Sequence, residues 1–224
     1  MSAAATQTTI LDAAETLFAE AGFAATSLRE LTAKAGANLA AVSYHFGSKE
    51  GLAIAVLKRR MDPINAERRA RLDALHKQPT VEAIVRAFVE PLLRPGVVHD
   101  ATPVRPGSGF CRLVGRLMVE QPPFLRDFLT AQFRDLGWRF SDALRQALPG
   151  CDAATLWWRL HFLVGAIAHT LQNAATLRHL TDGLCRDDDV DAVVEHLVQF
   201  AAHGMQAKAP KPKTARRPKE SSGR

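Results

Sequence analysis

The sequence predicts an all-α protein. Apolar residues recur at spacings of three and four along most of the chain, and no long stretch alternates apolar with polar. Serine, threonine, asparagine and glycine also fall where helices must start and stop. With 224 residues and 47% hydrophobic side chains, the chain has enough material for one large or two small globular domains.

The first helix is read from the stripe Ile10, Leu11, Ala14, Leu17, Phe18 and Ala21, with Thr8 and Thr9 as its cap candidates and Gly22 closing it. Ser27-Leu28-Arg29-Glu30 then matches a capping box, in which the serine side chain and the glutamate three residues later satisfy each other's orphan amides. A short second helix follows from about Leu28 to Ala35. Gly36 suits the left-handed stop of that helix, and Asn38 can cap the next.

On the third helix, Val42 and Phe46 point inward, while Leu39, Ala40, Ser43 and Tyr44 fall on the outer side. A helix that presents small residues beside Tyr44 and His45 is ill suited to a core. It suits a DNA major groove, where small side chains permit close approach and polar ones reach phosphates. Gly47-Ser48-Lys49-Glu50 starts a fourth helix, with Ser48 as cap and Lys49 near the first amides, a favourable place for a phosphate.

The formal charge of +6 does not belong to this region. Residues 208–224 hold seven Lys or Arg and one acid, so residues 1–207 sum to zero. With three prolines and no large apolar residue, this tail is expected to be disordered, either as a solvated terminus or as an auxiliary DNA-contacting arm. Residues 1–60 carry six Lys or Arg against five acids, so helix termini and hydroxyls must supply much of any backbone contact.

The run TSLRELTAKAGANLAAVSYHFGSKEGL resembles the DNA-binding domain of the TetR family of one-component bacterial transcription regulators. The resemblance extends over about residues 8 to 60 and implies a three-helix helix-turn-helix domain at 1–60, followed by a helical ligand-binding and dimerisation domain at 61–207. It implies phosphate or base contacts from Ser27, Arg29, Leu39, Ala40, Ala41, Ser43, Tyr44, His45 and Lys49, and a double-stranded DNA operator as partner. Many members carry tyrosine where this chain has Ser43, which retains the hydroxyl.

Beyond the fourth helix, Asp62-Pro63 is expected to kink or restart the chain. Further helices are read at about 80–94, 109–120, 123–147, 152–180 and 188–207. PGVVHDATPVRPGSG separates the first two of these and is too irregular for an element. Leu156, Leu160, Leu163, Ile167 and Leu171 form one wide apolar face, and Val190, Val193, Val194, Leu197, Phe200 and Ala201 another. The family resemblance implies that these two helices pair with their symmetry mates in a homodimer, which would place two recognition helices on successive major grooves.

GFCRLVGRLMVEQPPFLRDFL and LWWRLHFLVGAIAHTL look like the branch of that family that responds to long-chain fatty acids or acyl-CoA esters. Phe110, Leu113, Leu117, Phe128, Phe133, Trp158 and Phe162 are either tunnel-lining or core residues, and Arg159 and His161 belong to the same resemblance. Arg112 and Arg116, four apart on an apolar helix, either clamp a carboxylate or pair with acids such as Glu120 or Asp127. A bulky aromatic or xenobiotic inducer suits the same residues.

Enzymatic motifs are missing: there is no G-x-G-x-x-G, G-x-x-x-x-G-K-[ST], G-x-S-x-G or H-E-x-x-H. His161 and His169 lack a carboxylate to complete a metal site, so neither catalysis nor a cofactor is expected. Cys111, Cys151 and Cys185 show no C-x-x-C spacing, which disfavours a disulfide framework, while a cysteine-based redox sensor stays open as a different class of function. Neither a secretory leader nor a membrane span is read, so a cytoplasmic location is expected.

Overall fold

The computed structural model describes residues 3–94 and 109–208, without the side chains of residues 118 and 119. These residues form nine helices and no strand: α1 (Ala3–Ala21), α2 (Leu28–Ala35), α3 (Leu39–Phe46), α4 (Lys49–Asp73), α5 (Val81–Leu93), α6 (Gly109–Glu120), α7 (Pro123–Ala147), α8 (Ala153–Leu180) and α9 (Val190–Gln206). The Pro/Gly-rich segment at 95–108 and the basic tail from residue 209 onward lie outside the described residues.

Two expectations about helix ends need correction. Thr8 and Thr9 do not cap α1, which already includes them; their hydroxyls donate to Ala4 O at 3.1 Å and Thr6 O at 3.0 Å. A β-branched hydroxyl inside a helix can bond back to the preceding turn and stay helical. Nor does Pro63 interrupt α4, which continues to Asp73. Burial of Leu52, Val56, Leu57, Ile64, Asn65 and Arg68 along α4 supplies tertiary packing that offsets the missing amide.

Packing divides into two apolar clusters. The first joins α1 to α3 and the N-terminal half of α4 around Ile10, Phe18, Leu31, Val42, Leu52 and Val56. It also takes in Phe110, Leu113 and Leu117 of α6 and Leu125 and Phe128 of α7. The second surrounds α5, whose Ile84, Val85, Phe88, Val89, Leu92 and Leu93 are buried on all sides, as expected of a central helix. Leu136, Phe140 and Leu144 of α7, the Leu156-to-Leu171 face of α8 and Val194, Leu197 and Val198 of α9 complete it.

Ion pairs join the helices around each cluster. Glu15 accepts from Arg59 at 2.6 Å and from Arg60 at 2.8 Å, tying α1 to α4. Glu90, buried on α5, bonds Arg71 of α4 and Arg86 of its own helix, and Arg86 reaches Glu195 of α9 at 2.9 Å. Fully burying one apolar side chain contributes about 1.5–3 kcal/mol, so the three buried residues of α6 hold it to α1 by several kcal/mol.

Candidate DNA-binding face and effector cavity

The turn between α2 and α3 is built from local chemistry. Ser27 Oγ accepts from the Glu30 amide at 3.2 Å, and the Glu30 carboxylate accepts from the Ser27 amide at 2.9 Å, completing the capping box. The Ser27 backbone and then its hydroxyl hold the Glu30 carboxyl below its ordinary range. Gly36 takes the left-handed conformation at φ 61° and ψ 32°, which an L side chain rarely adopts. Asn38 Oδ1 then accepts from the Ala41 amide at 2.8 Å and starts α3.

This geometry turns one face of α3 outward. Tyr44 is 83% and Leu39 50% exposed, with Ala40 and Ser43 also exposed and Ala41 and His45 half-buried. Val42 is buried and Phe46 packs against the first core, as their spacing required. Ser48 Oγ accepts from the Gly51 amide at 3.0 Å to open α4. Lys49 Nζ lies 4.5 Å from the Phe23 ring centroid and 3.4 Å from Ala24 O, which sets the start of α4 beside the turn that leads to Ser27 and the exposed Arg29.

Gly51 was not singled out from the sequence. A Cβ there would lie 2.1 Å from the Phe46 carbonyl oxygen, so the first turn of α4 passes against the end of α3 at a distance only glycine permits.

Between the two clusters lies an apolar cavity of about 260 Å³. Its walls include Leu57, Met61 and Arg68 of α4, Phe88 and Leu92 of α5, and Phe110, Val114 and Leu117 of α6. Phe128 and Phe133 of α7 and Ile167, Ala168 and Leu171 of α8 close it. Of the residues read as tunnel-lining, Phe110, Leu117, Phe128 and Phe133 lie here, while Leu113 is buried against α1 in the first cluster and does not reach the cavity.

The remaining candidates are placed elsewhere, and each is a correction. Trp158 and Phe162 are 62% and 63% exposed, and stack on each other with ring centroids 5.9 Å apart. His161 is exposed beside them. Residues 158 and 162 each lie two positions past a core residue, about 200° round the helix at roughly 100° per residue, and so point away from the cavity. Arg116 does not line the apolar cavity, and among the described residues no ion pair joins it to Glu120 or Asp127. It donates to Ala19 O at 3.0 Å and Glu20 O at 2.7 Å, satisfying carbonyls at the end of α1. Arg112 is exposed and borders an outer groove with Gln172 and Asn173, not the apolar cavity. Glu120 accepts from the Ala24 amide at 3.2 Å, so α6 grips both the end of α1 and the turn after it.

Among the described residues, the one guanidinium in the cavity wall is one that the sequence reading passed over. Arg68 is 2% exposed. It donates through Nε to Phe88 O at 2.8 Å and through Nη1 to Asn65 Oδ1 at 3.1 Å, and its guanidinium carbon lies 4.1 Å from the Phe88 ring centroid. Burial alone pushes its pKa down to about 9. Asn65 in turn donates to Gln132 Oε1 at 3.3 Å, linking the site to α7.

Family models match both halves of the chain. Residues 10–56 match "Bacterial regulatory proteins, tetR family", and residues 86–204 match "Tetracyclin repressor-like, C-terminal domain". The chain belongs to the TetR family. It is a DNA-binding transcriptional regulator of that type, and α2 and α3 form its N-terminal helix-turn-helix. A curated relative, the HTH-type transcriptional repressor KstR2 of Rhodococcus jostii, is 34% identical over 85 residues. That match spans 38% of this chain and 42% of the relative. Two solved structures share the fold of this TetR-family chain. The fatty acid degradation regulator FadR from Bacillus halodurans has a TM-score of 0.65 at 15% identity, over 91% of this chain and 97% of that one. SmeT of Stenotrophomonas maltophilia in complex with triclosan has a TM-score of 0.60 at 21% identity, over 94% and 99%. Among the described residues no helix is long and apolar enough to cross a membrane.

Proposed function

We propose that the chain is a homodimeric repressor that leaves a palindromic operator when an apolar effector, a fatty acid or its acyl-CoA ester, fills the cavity between its two cores. The observation that carries this reading is the placement of the cavity. Its walls include α4 and α6, and both of these also hold the DNA-binding helices, α4 through Glu15 and α6 through the end of α1. A ligand that favours one spacing of these walls also favours one orientation of α1 to α3, whereas a ligand indifferent to the two states would shift nothing.

The operator contacts proposed are Ser27, Arg29, Leu39, Ala40, Ala41, Ser43, Tyr44, His45 and Lys49, which surround the outward face of α3. The proposed reading domain is 1–60 and the sensing domain 61–207, with α4 common to both. Repression agrees with the name of the KstR2 relative. Dimerisation is supported by the exposed Trp158 and Phe162 on α8 and the 72% exposed Phe200 on α9, large apolar groups that a partner's helices would cover. Such a protein acts where the chromosome is, in the cytoplasm.

Cavity size limits the effector. A volume of about 260 Å³ equals that of roughly nine liquid waters at ~30 Å³ each, so a medium-length acid fills it and a longer chain requires the walls to part. The FadR likeness in fold favours a fatty acid and the SmeT complex an aromatic compound; both lie below the identity that would carry a ligand across. Four phenylalanines in the wall, Phe88, Phe110, Phe128 and Phe133, favour the aromatic inducer as the second reading.

The test is to select bound genomic fragments and then titrate the operator complex with fatty acids, acyl-CoA esters and aromatic compounds. Release by acids of increasing length up to the cavity's capacity supports the first reading. Release only by aromatic compounds establishes the second, and release by none removes the effector role.

A further inference from the structure

Arg68 combines three features at one point in the cavity: it is buried, it is cationic, and it has no carboxylate partner among the described residues. A buried charge without a counter-ion is costly, and a structural arginine at such depth is ordinarily paired. The two partners it has are a main-chain carbonyl and an amide oxygen, both neutral. They occupy Nε and one direction of Nη1, and Nη2 makes no hydrogen bond to any described residue. The planar group is fixed in place by these bonds and by its stacking on Phe88, so its orientation is set before any ligand arrives.

We infer that Arg68 anchors the head of the effector, which makes the effector class a free organic acid whose carboxylate bonds to the Nη1 and Nη2 edge while its apolar body lies against Phe110, Phe128 and Ile167. The inference rests on the reading that the cavity takes an apolar effector, and it adds a chemical class. Acyl-CoA esters are disfavoured on this account, because their acyl head is a neutral thioester joined to a group too large for about 260 Å³. The anchor also couples sensing to reading. Arg68 sits on α4, the helix whose other end begins at Ser48 beside the recognition helix, and Asn65 and Gln132 extend its bonding to α7.

The experiment is calorimetric titration of the full-length protein with decanoate, decanol and decanoyl-CoA, repeated on Arg68→Met and Arg68→Lys. Wild-type protein is expected to prefer decanoate over decanol by roughly 10- to 100-fold, the range that hydrogen bonds to a charged group contribute. In Arg68→Met that preference collapses while decanol affinity is kept, and Arg68→Lys retains part of it. Equal binding of acid and alcohol by wild-type protein overturns the anchor but leaves the apolar-effector reading standing. An acid preference that survives in Arg68→Met assigns the anchor elsewhere and also overturns it, as does tighter binding of decanoyl-CoA than of decanoate. Absence of binding by all three ligands defeats both readings. Where Arg68→Met fails to fold, Arg68→Lys supplies the comparison, and equal binding of acid and alcohol by wild-type protein overturns the anchor without any variant.

Discussion

Replacing Gly51 by alanine sets two physical effects against each other. Inside a helix, Gly→Ala ordinarily stabilises by about 1 kcal/mol, because alanine loses less backbone freedom on folding. Here the added Cβ would sit 2.1 Å from the Phe46 carbonyl oxygen, where ordinary contact begins near 3.4 Å. The obstacle is main chain, so no rotamer change relieves it. The end of α3 and the start of α4 must part by more than an ångström, and crowding of this kind costs about 1–3 kcal/mol. The clash is therefore expected to cancel or outweigh the propensity gain, giving a net destabilisation of zero to about 2 kcal/mol. DNA binding should suffer more, because the strained junction is where α3 meets the Ser48-Lys49 start of α4. Urea unfolding gives the first quantity and fluorescence anisotropy on a selected operator the second. A Gly51→Ala protein that is about 1 kcal/mol more stable and binds operator normally would refute the close approach.

Three further perturbations test the same architecture. Alanine at both Tyr44 and His45 should weaken operator binding several-fold or more with an unchanged melting temperature, because Tyr44 is exposed and His45 only half-buried; unchanged affinity for the cognate palindrome would remove α3's outer face from the interface. Ala168→Phe places a ring into the cavity, and each displaced methylene of a ligand forfeits about 0.8 kcal/mol, so effector affinity should fall by two orders of magnitude or more while operator binding persists; retained effector affinity by calorimetry would place the effector elsewhere. Ser27→Ala should lower the melting temperature at neutral pH by an amount that shrinks in acid. The Glu30 pKa is depressed in the folded state, so its contribution is present above the ordinary carboxylate value near 4.5 and lost as pH falls through the lower folded value. A deficit independent of pH would exclude the capping box as its source.

The parts of this molecule governed by local rules could be read from its sequence. The side chains of Ser27, Glu30, Asn38 and Ser48 accept from amides three residues away, the Gly36 amide donates to a carbonyl at the end of α2, and the boundaries of α2 and α3 fall where those residues require. The α8 core stripe from Leu156 to Leu171 was equally visible, since its spacing defines a face. That same spacing could have excluded Trp158 and Phe162 from the cavity, because they lie on the opposite side. Apolar composition drew them in where helical angle should have kept them out. Arg68 was hidden by its neighbours, as it sits in the charged run ERRARLD and reads as solvated surface. The available signal was its register: Leu57, Met61, Ile64, Arg68 and Leu72 recur at three and four, so Arg68 occupies an apolar stripe. Gly51 and the grip of Arg116 on the end of α1 carry no such mark, because each depends on where a distant helix end arrives.

The most direct test of the account is reciprocity between effector and operator. Decanoate affinity would be measured by calorimetry on the free protein and on the protein saturated with its selected operator. If the cavity governs release, the operator-bound form binds decanoate more weakly, and by the same factor by which decanoate weakens operator binding. Equal decanoate affinity in the two forms would contradict the account, since the cavity would then be a binding site with no influence on the recognition helix.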